Sequence, residues 1–361
     1  MAHAISNFQL ESPLHPKARE ALADAIDQGW SDPGKLSNQN AKARILRNQA
    51  LDSIAEQLAV TPSELEIIGE PLLGNYFAIA GLLHAEDTLI YSAVDRKEIF
   101  AIAQSHRKTI ELPVTNMGQI APEDFPNSAA TPDSVFALQV ANGETGTIQR
   151  IEELIAISGS ARIACDYSSC GPRIALPSRW ESAYFDAKSW QGPEGIGIIA
   201  IAEAAAWANP LPHIGAARTP QSVSLPLILA AAVALEVWHE EEKNESPRLR
   251  SLSEKLRQEI SATVADCDIA GDLNSSLPHI TSLSFLYVQG EELLRRLDAV
   301  GIAVDSGSAC TAENLQPSHV LAAMGVLTHG NIRITLHHGV SEKEVNELIA
   351  AITKAVAELR Q

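Results

Sequence analysis

The chain has 361 residues, 45% of them hydrophobic, and 21 glycines, enough to bury a full core and more naturally in two domains than one. Its formal net charge is -18, with 45 Asp and Glu against 27 Lys and Arg, so its field repels phosphate backbones and anionic headgroups, and neither nucleic acid nor membrane is an expected partner. No apolar run reaches transmembrane length, and the opening MAHAISNFQLESPLHP lacks the basic and apolar regions of a secretion signal, which predicts a cytoplasmic protein.

From about residue 17 to residue 235, helical stretches alternate with short apolar runs, the pattern of a mostly parallel sheet covered by helices. Leu51, Ile54, Ala55 and Leu58 fall on one helical stripe. Thr61-Pro-Ser-Glu64 reads as a capping box with Pro at the first helical position, a brief helix feeding the run Leu65 to Ile68. Thr88 to Ser92, Ser134 to Val140, Arg162 to Cys165 and Gly195 to Ile201 are further strands, rich in branched residues or bounded by turn formers. The polar segment from Val237 to Pro247 predicts a helical exit from the large domain, with a boundary near residue 240. Beyond it the spacing predicts a helix over 248–265, a strand over 281–288, a helix over 291–300, strands over 301–305 and 331–336, and a last helix capped by Ser341 and Glu344. The expected domains are 15–240, a large α/β unit, and 1–14 with 241–361, a smaller α+β unit.

Four cysteines, Cys165, Cys170, Cys267 and Cys310, are too few and too scattered for a disulfide framework. Cys165 and Cys170 have no Cys or His at metal-ligand spacing beside them, so they read as core residues and no metal is expected. Cys310 differs, because it lies in the small-residue loop Asp305-Ser-Gly-Ser-Ala-Cys310 ahead of a helix starting near Pro317. A lone Cys is by composition a small buried hydrophobe, although a loop of this kind can move and expose its thiol.

That loop, with Val140-Ala-Asn-Gly-Glu-Thr-Gly146, Cys165-Asp-Tyr-Ser-Ser-Cys170, Lys188-Ser-Trp-Gln-Gly-Pro-Glu-Gly-Ile-Gly197 and Ile332-Arg-Ile-Thr335, resembles the cysteine desulfurase family along nearly the whole chain. The resemblance implies the pyridoxal-phosphate (PLP) dependent transferase fold of type I, class V branch: a large, mostly parallel sheet domain, a smaller α+β C-terminal domain, and active sites shared across a homodimer. It implies an amino acid substrate, PLP as cofactor, and a sulfur-acceptor protein downstream.

Residue by residue, the resemblance assigns Asp166 to the pyridine nitrogen, where a carboxylate keeps the ring protonated. Arg333, with Asn142, is assigned to the substrate, whose carboxylate a guanidinium grips with two parallel bonds. Cys310 is the sulfur-accepting thiol, and Ser222 comes from the region contributed by the partner subunit. The chain departs from the family elsewhere. Ser189 stands at the position of the Schiff-base lysine and Lys188 at that of a phosphate-contacting His; in an extended segment their side chains point to opposite sides, so Lys188 serves as the amine only after a local backbone shift. Arg96 stands where a His stacks on the ring, Ser169 replaces the Gln at the ring hydroxyl, and Gly143 replaces an Asn. The phosphate loop becomes Gly69-Glu-Pro-Leu-Leu-Gly74, with Leu72 for a threonine and Glu70 added, and Asp186 replaces a phosphate-binding Ser. Carboxylates near a dianion predict weak phosphate affinity. The expected function is a cysteine desulfurase-like protein that moves sulfur from L-cysteine to a persulfide on Cys310. A PLP-free homologue acting as dimer partner, scaffold or sulfur acceptor is the alternative, and another class V amino-group transfer is the third.

Overall fold

A computed structural model describes residues 6–9, 13–29, 31–33, 35–202, 206–213, 218–219, 224–307 and 317–361. In chain order the large domain is built from α1 (Pro16–Asp27), α2 (Asn38–Leu58), β2 (Leu65–Ile68), α3 (Gly74–Ala80), β3 (Thr88–Ser92), α4 (Lys97–Ser105), β4 (Thr109–Leu112), β5 (Ser134–Gln139), α5 (Ile151–Ile157), β6 (Arg162–Asp166), β7 (Ser182–Asp186) and β8 (Gly197–Ile201). Strand β1 (Ser6–Asn7) precedes them but pairs elsewhere. The seven strands form one sheet in the order β2-β8-β7-β6-β5-β3-β4, parallel except at β8, which runs antiparallel to both neighbours. Every residue of β5 and β8 is buried, as continuous apolar strands covered on both faces must be.

Local chemistry sets the ends of these elements. The Ser37 hydroxyl caps α2 by accepting from the Asn40 N–H at 3.2 Å, and Ala59 ends it in the left-handed conformation at φ 57°. The capping box at Thr61 and Glu64 closes a single 3₁₀ turn that delivers the chain to β2.

A long helix, α6 (Leu225–Thr263), leaves the large domain and continues without a break through Pro247. The predicted boundary near residue 240 and the separate helix from 248 therefore merge into one element. An interior proline costs a helix roughly 3 kcal/mol, and packing on both sides offsets it: Leu235 and Trp238 sit in the large-domain core, while Leu249, Leu252, Leu256 and Ile260 sit in the other. Across the proline, Glu245 grips Arg248 and accepts from the Gly339 N–H at 2.9 Å.

The second core gathers Phe8 with α6, β9 (Cys267–Ala270), β10 (Ile280–Phe285), α7 (Gly290–Asp298), β11 (Ile302–Ala303), β12 (Ile332–Thr335) and α9 (Glu342–Leu359), while α8 (His319–Met324) packs in a small separate cluster with Val94 and Ala270. Here β10 lies antiparallel between β12 and β9, and β1 pairs with β11 in parallel. The Ser341 and Glu344 side chains form the capping box of α9, as its sequence predicts.

Candidate functional site

The C-terminal ends of β3, β5, β6 and β7 open onto one cleft of about 750 Å3, whose far wall comes from the second domain. In parallel α/β sheets this edge is where ligands bind. Each strand hands over polar residues as it ends: β3 leads to Asp95 and Arg96, β5 to Asn142, Gly143 and Glu144, β6 to Asp166, Ser168 and Ser169, and β7 to Asp186 and Lys188. The second domain contributes Asp305 and Arg333.

Asp166 is buried, and both of its oxygens face donors. Oδ1 accepts from the Ser168 N–H at 2.8 Å, and Oδ2 lies 3.3 Å from Arg96 Nε. Arg96 reaches onward, Nη2 donating to Ser169 Oγ at 2.6 Å. Behind this pair stands Asp95, 1% exposed, a residue the sequence reading did not single out. Burial raises its carboxyl well above the ordinary range, the Ser92 N–H opposes that, and the negative charge of Asp166 adds to it. The nearby Arg96 charge also works against the rise at Asp95, but its ion pair is with Asp166.

Lys188 lies in the cleft, and Ser189 does not. Residues Ala187–Trp190 form a 3₁₀ turn rather than an extended segment, so neighbouring side chains are about 120° apart instead of opposite. The Asp186 carboxylate starts the turn by accepting from the Lys188 N–H at 3.0 Å, and Gln191 ends it at φ 61°. Lys188 Nζ rests 3.8 Å from Asp186 Oδ2 on the cleft wall. Ser189 is fully buried; its hydroxyl donates to the Asp186 carbonyl at 2.7 Å and packs where a side chain on Gly171 would be. The backbone thus presents the lysine without the slip that an extended geometry demands.

Arg333 is anchored twice to Asp305, by an ion pair and by a backbone bridge, and its Nη1 donates to the Gly143 carbonyl at 3.2 Å. Its Nε is buried with no hydrogen-bond partner among the described residues. Two residues beyond Asp305 the described chain stops at Gly307, which is pressed against the Glu144 carboxylate so closely that a Cβ has no room. Cys310 and Ser222 lie outside the described residues. Asn142 does not reach the cleft, which corrects its assignment to substrate. Its NH2 donates to Val94 O and Gln139 Oε1, both at 2.9 Å, and its Oδ1 accepts from the N–H groups of Glu144 and Thr145. The side chain is consumed in shaping its own turn.

The cleft fits the ring and amine ends of pyridoxal phosphate. Among the described residues it holds a lysine and the Ser169 hydroxyl, the Asp166 carboxylate stands just behind Arg96 on its wall, and Ser168 Oγ and Arg333 Nε are buried without partners. The end that the resemblance gives to the phosphate is acidic, with Asp186 on the cleft wall and the Glu70 carboxylate capping its own turn at the Leu72 N–H, 3.3 Å away. Asp305 and Ser168 lie within motifs read from the sequence, yet only the fold shows that they face this cleft. Cys165 and Cys170 are core residues, and burial pushes the Cys165 thiol upward, away from reactivity.

Comparison with known proteins agrees with this architecture. The class-V aminotransferase family profile matches residues 74–348. The chain is 26% identical to the cysteine desulfurase IscS of Dictyoglomus turgidum over 98% of this chain and 94% of that one. It is 26% identical to the cysteine desulfurase NifS of Azotobacter vinelandii, covering 94% and 89%. Among solved structures, a NifS-like protein superposes with a TM-score of 0.88 at 23% identity, covering 98% of this chain and all of the other. The cysteine desulfurase of Thermococcus onnurineus NA1 superposes at 0.83 with 15% identity, covering 98% and 95%. These two structures share the fold.

Proposed function

The chain belongs to the class-V aminotransferase family, whose members depend on pyridoxal phosphate, and from that membership we propose that it is a cysteine desulfurase-type sulfur transferase acting on L-cysteine. The observation that carries the reading is the convergence on one cleft of Lys188 and Arg333 with Asp305, backed by Asp166 behind Arg96, and the chain runs on in sequence from Asp305 to Cys310. Arg333 orients the substrate by its carboxylate, a task that suits a guanidinium with a free Nε. Asp166 and Ser169 would hold the cofactor ring, and Lys188 Nζ is the amine beside it. When bound, the cofactor supplies an electron sink that weakens the bonds around the substrate α-carbon. Lys188 holds or moves a proton on that side of the cleft. In net terms L-cysteine loses its sulfur atom and leaves as L-alanine, while the Cys310 thiol becomes a persulfide; the thiolate is the attacking form.

The protein is further proposed to work as a cytoplasmic homodimer that passes the sulfur to an acceptor protein. Among the described residues no helix is long and apolar enough to cross a membrane. Incubation with sulfur-labelled L-cysteine and pyridoxal phosphate, followed by peptide mapping without reductant, tests the reading. Label is expected on Cys310; a chain that stays unlabelled at saturating cofactor overturns it. A cofactor-free sulfur acceptor using Cys310 is the second reading, favoured by the burial of Ser189, and it predicts labelling by a small persulfide donor but not by cysteine.

A further inference from the structure

We propose that Arg96 is a resident counter-ion which a pyridinium ring must displace from Asp166, so that cofactor capture here is an exchange of cations and the cofactor is held loosely. This rests on reading the cleft as a pyridoxal phosphate site.

A protonated pyridine nitrogen needs a carboxylate partner, and the carboxylate in this cleft already has one. With Asp166 Oδ1 taken by the Ser168 N–H, the remaining oxygen faces Arg96 Nε at 3.3 Å. The other arm of the guanidinium occupies Ser169 Oγ at 2.6 Å. One planar cation therefore bridges the two groups that would grip the ring edge. Its two contacts are unequal: Nη2 makes a short hydrogen bond, whereas Nε makes no hydrogen bond of good geometry and touches Asp166 only as an ion pair. The contact that the ring must replace is the weaker one.

Gly143 makes room for the arrangement. A Cβ there would lie 2.6 Å from Ser169 Oγ, closer than side chains come, and 3.3 Å from Arg96 Nη2, tight enough that the guanidinium would have to give by a few tenths of an ångström. The backbone at 143 is not in the left-handed region that calls for glycine, so the glycine answers to space, and Arg96 and Ser169 fill that space. Arg96, Gly143 and Ser169 thus form one fitted set around Asp166.

Titration of the full chain with pyridoxal phosphate, read by its absorbance and by quenching of tryptophan fluorescence, compares wild type with Arg96→His and Gly143→Ala. Loss of a competing charged contact is expected to tighten binding by about tenfold or more in Arg96→His. Gly143→Ala keeps the guanidinium but crowds it off Ser169, and is expected to shift affinity the same way by a smaller factor. Without cofactor, Arg96→His is expected to melt at a lower temperature than wild type, because Asp166 loses its partner, and to recover when cofactor is added. Wild type binding as tightly as Arg96→His, or more tightly, overturns the proposal while leaving the site reading intact. If Arg96→His does not fold, unchanged or weaker binding by Gly143→Ala overturns it instead. Saturable binding by none of the three chains overturns both the proposal and the site reading.

Discussion

Replacing Arg333 by lysine tests the substrate-binding end of the cleft. The guanidinium side chain is 30% exposed, its Nη2 is engaged by Asp305, and its Nε is buried and unpaired among the described residues. A carboxylate docking on Nε and the adjoining nitrogen gains two parallel charge-assisted bonds, of which an ammonium can reproduce one. Loss of one such bond costs about 1.5–3 kcal/mol, so kcat/KM for L-cysteine should fall roughly 10- to 150-fold, chiefly through KM. The ion pair with Asp305 is partly solvated on both sides, at 30% and 38% exposure, and pairs of that kind are worth about 0.2–1 kcal/mol. Asp305→Asn should therefore act in the opposite direction and modestly, lowering KM by at most about fivefold. Sulfide release under reductant gives both constants, and calorimetry of cysteine binding gives the affinity directly. An unchanged KM in Arg333→Lys refutes the assignment. A raised KM in Asp305→Asn shows instead that the carboxylate positions the arginine and does not compete for it.

Cys310→Ser should abolish the labelled persulfide while cysteine still binds with wild-type affinity by calorimetry, since binding is assigned to Arg333. Borohydride reduction in the presence of pyridoxal phosphate should leave a pyridoxyl group on Lys188, found by peptide mass mapping, and Lys188→Ala should yield none. A modified residue elsewhere would show that the turn at 187–190 does not present the reactive amine. The Glu245 carboxyl is held below its ordinary value of 4.5: burial works against this, but the Arg248 guanidinium and the Gly339 N–H outweigh it. A depressed acid stabilises the fold above its unfolded pKa and loses that contribution as pH falls below about 4.5. Glu245→Gln should cost about 1.5–3 kcal/mol at pH 7, and the gap between the two proteins in urea unfolding should narrow progressively as pH falls below about 4.5, closing only once it has passed the folded-state value; a constant gap counts against the ion pair.

Much of the fold was legible because its strongest elements satisfy several local rules at once. β3, β5 and β6 are branched or apolar runs bounded by turn formers, and the structure buries them almost completely. Strands without that signature went unread: β4 sits at the sheet edge with Thr109 and Glu111 exposed, and β7, Ser-Ala-Tyr-Phe-Asp, is central but opens and closes on polar residues. At Pro247 a correct local rule met a larger tertiary term, because two separate cores hold the two halves of one helix.

The site was legible as a set of positions and illegible as a geometry. Treating 186–189 as extended put Lys188 and Ser189 on opposite sides, yet the signal for a turn was present: Asp186 is an acidic residue able to accept from the N–H two positions on, and it does so. Arg96, Gly143 and Ser169 each looked like a separate loss when compared with the family one at a time. They are 47 and 26 residues apart in the chain, and only the convergence of β3, β5 and β6 at one sheet edge brings them into contact. Contact changes their meaning, since a guanidinium that neutralises Asp166, a serine that receives its other arm and a glycine that leaves it room are each explained by the other two. Independent decay would give no reason for that fit: a larger residue at 143 would collide with Ser169, and a side chain at 96 without a guanidinium fork would leave Asp166 with the Ser168 N–H as its remaining partner among the described residues. The substitutions therefore bear on function together, as a change in how Asp166 is kept charged, and single reversions should be read through their effect on that carboxylate.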